Sequence, residues 1–300
     1  MLRKLLNRFS VTLTLETLEP LLVRSGTSVV HGPDAAFIRT RRGGRPQPFI
    51  PGSSLKGVVR SHAERIARTL KDRSVCDVFQ QQVAVKGCSW KDFDGNAYAA
   101  SCPACRLFGS LNWKGRFHLG DAYLTPEHAD VNPELRDGVG IDRVSGGASR
   151  GVKFDLEVMP AGVAFETQLE VVNFEMWQLG WLAYVLRDLV DGRLHVGANT
   201  SRGLGRIRGA LSDMSIAYTG EPAVLSDQLP GIGALVSSEE QELYGLHAED
   251  FVDRPEELTP ERASGSLYST FTPIAGQELD LLADLTPAWH AHLEQLKALS

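Results

Sequence analysis

The sequence has no run of about 18 consecutive apolar residues, so a membrane-spanning helix is not expected. The N-terminal stretch MLRKLLNRFSVTLTLETLEP is broken by Arg8, Glu16 and Glu19, where a secretory signal would need an unbroken apolar core and a small-residue cleavage site. A cytoplasmic protein without a membrane partner is the expectation. No internal repeat and no G-x-x-x-x-G-K-[ST] loop occurs. Cysteine is scarce. The four cysteines all fall between Cys76 and Cys105, and in a reducing compartment such clustering favours metal ligation over a disulfide framework.

Basic residues are scarce at one end only. Residues 220–300 hold 3 Lys+Arg against 15 Asp+Glu, whereas residues 1–219 hold 28 against 22, so the whole-chain charge of −6 conceals a basic part and an acidic one. A basic surface is what phosphate neutralisation requires, so residues 1–219 are the candidate for a nucleic-acid partner. The acidic segment is a separate electrostatic object, expected to dock on a neighbouring subunit or to cover basic surface of its own core.

Apolar periodicity supplies the elements. Val11, Leu13 and Leu15 alternate with polar residues as a half-buried strand continuing toward Val23. Gly26 to Arg45 reads as a long loop with a weak strand at Ala35–Ile38, and Pro46, Pro48 and Pro51 bar a helix before Ser53. Ser53 or Ser54 is placed to cap a helix over 55–70, with Lys56, Arg60, Glu64 and Arg68 recurring every four residues. Residues 71–110 read as an insertion, and Phe117–Leu124 as a short strand. Five glycines between Gly138 and Gly151 join two β-like segments into a long hairpin, residues 165–171 continue the sheet, Met176–Leu189 is a helix and Ile207–Tyr218 a strand. The order β, α, β, β, α, β is that of a split βαβ unit, with helices on one face of an antiparallel sheet and the other face free for RNA. Short helices and loops are expected over 220–275, then a helix from Pro287 to Leu299.

Two motifs suit anions. In G-A-N-T-S-R-G-L-G-R-I-R-G, residues 197–209, glycines let backbone N–H groups approach a phosphate and Arg202, Arg206 and Arg208 supply charge; an ordinary glycine-rich turn fits equally. In F-I-P-G-S-S-L-K-G, residues 49–57, a helix N-terminus is followed by Lys56 and Arg60 on one face; plain capping with a solvated basic face is the simpler account of that motif alone. Cys102 and Cys105 in S-C-P-A-C form a Cys-x-x-Cys pair, and Cys76 and Cys88 would complete a closed tetrahedral Zn2+ site of structural type, with His62 an alternative to Cys76 or Cys88. His62-Ala63-Glu64 with Cys102 and Cys105 also superficially fits a zinc nucleobase deaminase, but proline follows Cys102 instead of preceding it.

Taken in order, the glycine loop, F-I-P-G-S-S-L-K-G, G-I-D-R at 140–143 running into F-D-L-E-V-M-P-A-G at 154–162, and S-R-G-L-G resemble the RAMP superfamily of CRISPR proteins over residues 10–215. The resemblance is to the repeated backbone subunit of type III effector complexes. It agrees with the ferredoxin-like (RRM-like) core of an α+β protein over 1–219 that the element order gives, and implies a thumb-like hairpin region at 127–162; the zinc-binding insertion at 71–110 and the acidic C-terminal extension at 220–300 are read from the cysteines and the charge. It also implies guide RNA (crRNA) and target RNA as ligands, and copies of the chain and other CRISPR effector subunits as partners. Ser53, Ser54, Lys56, Arg60, Ser201, Arg202 and Gly203 would contact guide phosphates, and Asp142 and Arg143 would belong to a thumb that wedges between bases. Asp34 matches the aspartate that cuts target RNA in that family. There a divalent cation such as Mg2+ would be held, or a ribose hydroxyl deprotonated, with His31 close by to assist. A non-cleaving subunit and a guide-processing endoribonuclease are the alternatives within the superfamily.

Overall fold

Asn7–Thr17 (β1) is the spine of the molecule. Phe9, Val11, Leu13 and Leu15 on its inner side are at most 2% exposed, as period-2 alternation on a one-sided sheet demands. The computed structural model describes residues 3–26, 32–80, 87–93, 95–220, 227–255, 258 and 260–296. After β1 the chain does not remain a loop, because Arg39–Arg42 (β2) and Arg45–Ile50 (β3) form a tight antiparallel hairpin around Gly43 and Gly44. Both glycines have positive φ, the conformation a two-residue primed turn requires.

Gly52–Leu70 (α1) follows, starting earlier than its polar pattern suggests. Neither Ser53 nor Ser54 caps it: Pro51 is the N-cap, and the Gly52 N–H donates to Asp121 Oδ1 at 2.8 Å. Glycine is needed at that start, since a Cβ there would lie 2.3 Å from the Leu119 carbonyl. The insertion carries Pro103–Phe108 (α2) and the small hairpin Gly109–Ser110 (β4) with Trp113–Lys114 (β5). The single strand expected next is two, Phe117–Leu119 (β6) and Ala122–Leu124 (β7), separated by Gly120 and Asp121.

Glu134–Ile141 (β8) and Ala148–Val158 (β9) make the long hairpin. Ala164–Val172 (β10) returns to the sheet. Met176–Val190 (α3) and the short Leu194–His195 (β11) precede Arg206–Thr219 (β12). β1 lies between β10 and β12, antiparallel to both, and β6 and β7 extend β10, so the four core strands run in the order β12, β1, β10, β6/β7. The result is a mixed α+β architecture with antiparallel sheets. Trp181 on α3 donates to the Ala63 carbonyl on α1 at 3.2 Å, fixing the two helices over the core.

The acidic segment is part of this body. Gln228–Pro230 (β13) pairs with Phe251–Asp253 (β14) around the helices Ile232–Leu235 (α4) and Ser238–Tyr244 (α5), while Pro260–Glu261 (β15) and Tyr268–Phe271 (β16) lengthen the sheet beyond β12. The last helix, Glu278–Gln295 (α6), begins well before Pro287 and contains it. Proline removes the N–H that the Ala283 carbonyl would accept, and the Thr286 hydroxyl supplies a substitute at 2.8 Å. α6 packs on α3 through Trp289, whose ring stacks on Trp181 at 4.6 Å, and Gly180 lets the helices close until a Cβ would sit 2.3 Å from the Leu285 carbonyl. The charge break at residue 220 therefore falls within continuous packing.

Candidate metal centre and nucleic-acid interface

The insertion buries four cysteines among Val75, Tyr98, Ala104, Leu107 and Phe108. Cys76, Cys88, Cys102 and Cys105 are all buried and unbridged, with their sulfurs within 4.8 Å of one another. The Cys102–Cys76 and Cys76–Cys105 Sγ separations are 3.5 and 3.7 Å. A tetrahedron of thiolates at Zn–S distances of 2.3 Å has edges of about 3.8 Å, so the donor set fits one Zn2+. Backbone N–H groups of Cys76, Cys88 and Cys102 point at neighbouring sulfurs, at 3.5, 3.4 and 3.3 Å, as they would to stabilise thiolates. Contact with Cys102 brings the Cys76 thiol down to about 7. Bound there, a zinc ion would supply a structural cross-link between three chain segments.

His62 does not belong to this centre. Its Nε2 pairs with Asp188 Oδ2 at 2.7 Å, on the side of α1 facing α3, so the option of His62 replacing a cysteine is corrected. Glu64 is engaged too, by Arg60 at 2.8 Å and Arg68 at 3.2 Å, which leaves no free carboxylate for a deaminase proton shuttle.

Arg60 is the largest departure from the sequence reading. Instead of facing outward with Lys56, its guanidinium turns into protein: Nε to Glu64 Oε1 at 2.8 Å, Nη1 to the Gly109 carbonyl at 2.8 Å, and Nη2 to Cys105 Sγ at 3.4 Å. Burial would lower its pKa, but Glu64 and Cys105 outweigh that and hold it protonated. Arg68 Nη2 reaches the Cys76 carbonyl at 3.0 Å, so one helical face, Arg60–Glu64–Arg68, grips two ligand-bearing segments.

Lys56 is half-buried, donates to the Phe117 carbonyl at 3.2 Å, and is lowered in pKa by that burial and then by Arg60. With Ser53 it lines a cleft of about 490 Å³ shared with His118, Gln168 and Glu170. Ser54 opens instead into a second cleft of about 480 Å³ on the other flank of α1. That second cleft joins Ser54, Gly57 and Ser61 of α1 to Gly197 and Ala198 of the glycine-rich loop, with Arg24, Arg65 and His195 around it. The two anion-suited motifs, about 150 residues apart in the chain, thus share a cleft with a cationic rim. Arg24, Arg65 and His195 were missed from the sequence because none lies inside a motif.

Most glycines of that loop serve packing. A Cβ at Gly197 would lie 2.2 Å from the Leu22 carbonyl, and one at Gly205 2.2 Å from the Val196 carbonyl. Only Gly203 among the three stands open, at the end of the turn Thr200–Arg202. Ser201, Arg202 and Gly203 are all exposed, and Arg202 has no ion pair among the described residues.

Asp34 is exposed in the segment after β1, and its Oδ2 accepts the Asp155 N–H of β9 at 3.0 Å. Its neighbour Ala35 packs with Leu22, Val158 and Leu204 in a small core of its own, which joins the Asp34 segment, the root of the long hairpin and the glycine-rich loop. His31 lies outside the described residues. At the hairpin tip Asp142 is a turn residue: its Oδ1 accepts from the Val144 and Ser145 N–H groups and the Ser145 hydroxyl, which hold its pKa below the usual range. Arg143 beside it is exposed, and Val139, Ile141, Val144 and Val152 give the hairpin an exposed apolar character.

Residues 14–208 match the model of the RAMP superfamily. The chain is a RAMP superfamily protein. It matches no curated protein individually. The RAMP match runs from within β1 to within β12, so it takes in the cleft, the cysteine centre, Asp34 and the long hairpin. No described helix of this RAMP protein is long and apolar enough to cross a membrane.

Proposed function

We propose that the chain is a cytoplasmic, guide-RNA-binding backbone subunit of a type III CRISPR ribonucleoprotein, repeated along the guide beside other effector subunits. The observation that carries this reading is the cleft in which Ser54, Gly57 and Ser61 meet Gly197 and Ala198 under Arg24 and Arg65. The Ser54 and Ser61 hydroxyls, framed by the Arg24 and Arg65 guanidinium groups, suit a phosphate chain and read no base. Specificity then belongs to base pairing between guide and target. The strand order β12, β1, β10, β6/β7 with α1 and α3 supports a ferredoxin-like core. Residues 71–110 act as a zinc-stapled insertion and residues 127–162 as a thumb whose apolar tip enters a base stack, an expense repaid by phosphate contacts.

Asp34 is the proposed catalytic group for cutting paired target RNA. Its carboxylate stands at the hairpin root, where it would hold a divalent cation such as Mg2+ or take the proton of a ribose hydroxyl. The test is target cleavage by the assembled complex, wild type against Asp34→Ala: loss of cleavage with RNA binding retained supports the role, and unchanged cleavage sinks it. One observation favours a non-cleaving subunit as the second reading. Asp34 Oδ2 is already engaged by the Asp155 N–H, a bond that ties the Asp34 segment to β9 and gives the carboxylate a structural role.

A further inference from the structure

The β2–β3 hairpin carries more positive charge than its ion pairs use. Its sequence is Arg39-Thr40-Arg41-Arg42-Gly43-Gly44-Arg45, and residues 41–46 are all exposed. Arg39 is explained: Nη1 and Nη2 hold both oxygens of Glu157 on β9, at 2.8 and 3.0 Å, and fix the hairpin root to the base of the long hairpin. The other three arginines have no ion pair among the described residues. Arg42 and Arg45 are direct cross-strand partners, an arrangement in which like charges oppose pairing. Arg41 pairs with Pro46, so it projects from the opposite side of the ribbon. A fold that only needed a solvated edge would place lysine or alternate the signs; here every cation is arginine and no carboxylate intervenes.

We infer that this hairpin is an RNA-backbone clamp, with Arg41, Arg42 and Arg45 as its phosphate-binding residues. Guanidinium forks match phosphate oxygens in pairs, which ammonium groups cannot. The ribbon is stiff enough to position them. Its turn is closed by Gly43 and Gly44, β3 is anchored to β7 through Phe49 and Ile50, and the Arg42 guanidinium lies 4.4 Å above the Tyr123 ring, itself stacked on Phe49. Bare glycines at the tip leave open space around them, so a sugar–phosphate chain can come close. The hairpin follows the Asp34 segment directly and shares the Glu157 anchor with it, because the Phe37 N–H also donates to Glu157 Oε2 at 2.9 Å. The RNA it grips is therefore the strand that passes the root of the long hairpin.

This inference rests on the RNA-binding reading above and is separable from it. The experiment compares the full chain with the triple variant Arg41→Gln/Arg42→Gln/Arg45→Gln, measuring affinity for an unstructured RNA oligonucleotide across a salt series. Each lost phosphate contact removes about 0.7 from the slope of log affinity against log salt, so the expected loss is about 2. Thermal unfolding should shift by no more than the loss of the exposed Arg42–Tyr123 contact, since all three side chains are exposed. RNA binding by wild type with the same slope in the variant overturns the clamp and leaves the RNA reading standing. A variant that alters self-association while keeping its slope also overturns it, pointing to an acidic protein surface as the hairpin's partner. Absence of RNA binding by wild type overturns both.

Discussion

Arg60 Nη2 donates to Cys105 Sγ across 3.4 Å, tying the helix that lines both clefts to the sulfur cluster. Four thiolates around one Zn2+ would carry two net negative charges, and the guanidinium would offset part of that inside the protein. Removing such an outer partner costs 10–100-fold in metal affinity in comparable sites, so Arg60→Met should loosen zinc by about that factor. Arg60→Lys, which keeps the charge but cannot serve Glu64, Gly109 and Cys105 together, should fall between. Competition with a chromogenic chelator reads this directly, and equal affinity in all three proteins would remove Arg60 from the metal centre.

The same centre predicts its stoichiometry. One zinc per chain is expected, lost in Cys102→Ser and retained in His62→Ala. The histidine change should cost at most about 1 kcal/mol through its half-buried pair with Asp188. Zinc loss in His62→Ala would show that the ligand set differs from the four cysteines.

Asp250 makes stability fall as pH rises. Its Oδ1 accepts the Met176 N–H and its Oδ2 the Gly233 N–H, yet burial, and then the Glu175 carboxylate, push its pKa to about 7. Unfolded, the group titrates in the ordinary carboxylate range, near 3.8, so between there and about 7 the folded state holds the extra proton. Its contribution is therefore complete below that window and lost through it. Urea midpoints should fall across this interval in wild type and fall less in Asp250→Asn; equal pH dependence of the two would contradict the assignment.

Gly180 fixes the distance between α3 and α6. Gly180→Ala should cost about 1–3 kcal/mol by overpacking against the Leu285 carbonyl, measurable as a lower urea midpoint. A larger loss is expected on deleting residues 220–300, because Trp177, whose ring stacks on His292 of α6 at 4.2 Å, and Trp181, stacked on Trp289, would then face water. If the truncated chain stays folded and monomeric, the extension is not the integral layer described above.

The alternation of Val11, Leu13 and Leu15, the helix over Met176–Leu189 and the order of the core elements were legible because burial on one face writes its period into the sequence. The β2–β3 hairpin was not, although Arg-Gly-Gly-Arg between short runs is a turn signal, because Pro46 and Pro48 suggested an irregular loop. They are tolerated in β3 where it meets only the short outer strand β2, and pairing with β7 begins at Phe49. Pro287 likewise pointed to a helix start; the Thr286 hydroxyl that rescues the Ala283 carbonyl is a tertiary detail invisible to periodicity. Net charge concealed that Leu282, Leu285 and Trp289 form a buried face within the acidic segment. For the site, cysteine spacing named all four candidate ligands, whereas i,i+4 spacing could not tell a phosphate-facing arginine from one turned onto a sulfur.

The central claim is that the cleft between α1 and the glycine-rich loop binds an RNA backbone. Its most direct test is the salt dependence of RNA affinity for wild type and for Arg24→Gln/Arg65→Gln/Arg202→Gln. The account predicts a linear fall of log affinity with log salt in wild type and a slope shallower by about 2 in the variant, with no change in zinc content. An RNA affinity that is independent of salt in wild type, or identical slopes in the two proteins, would contradict it.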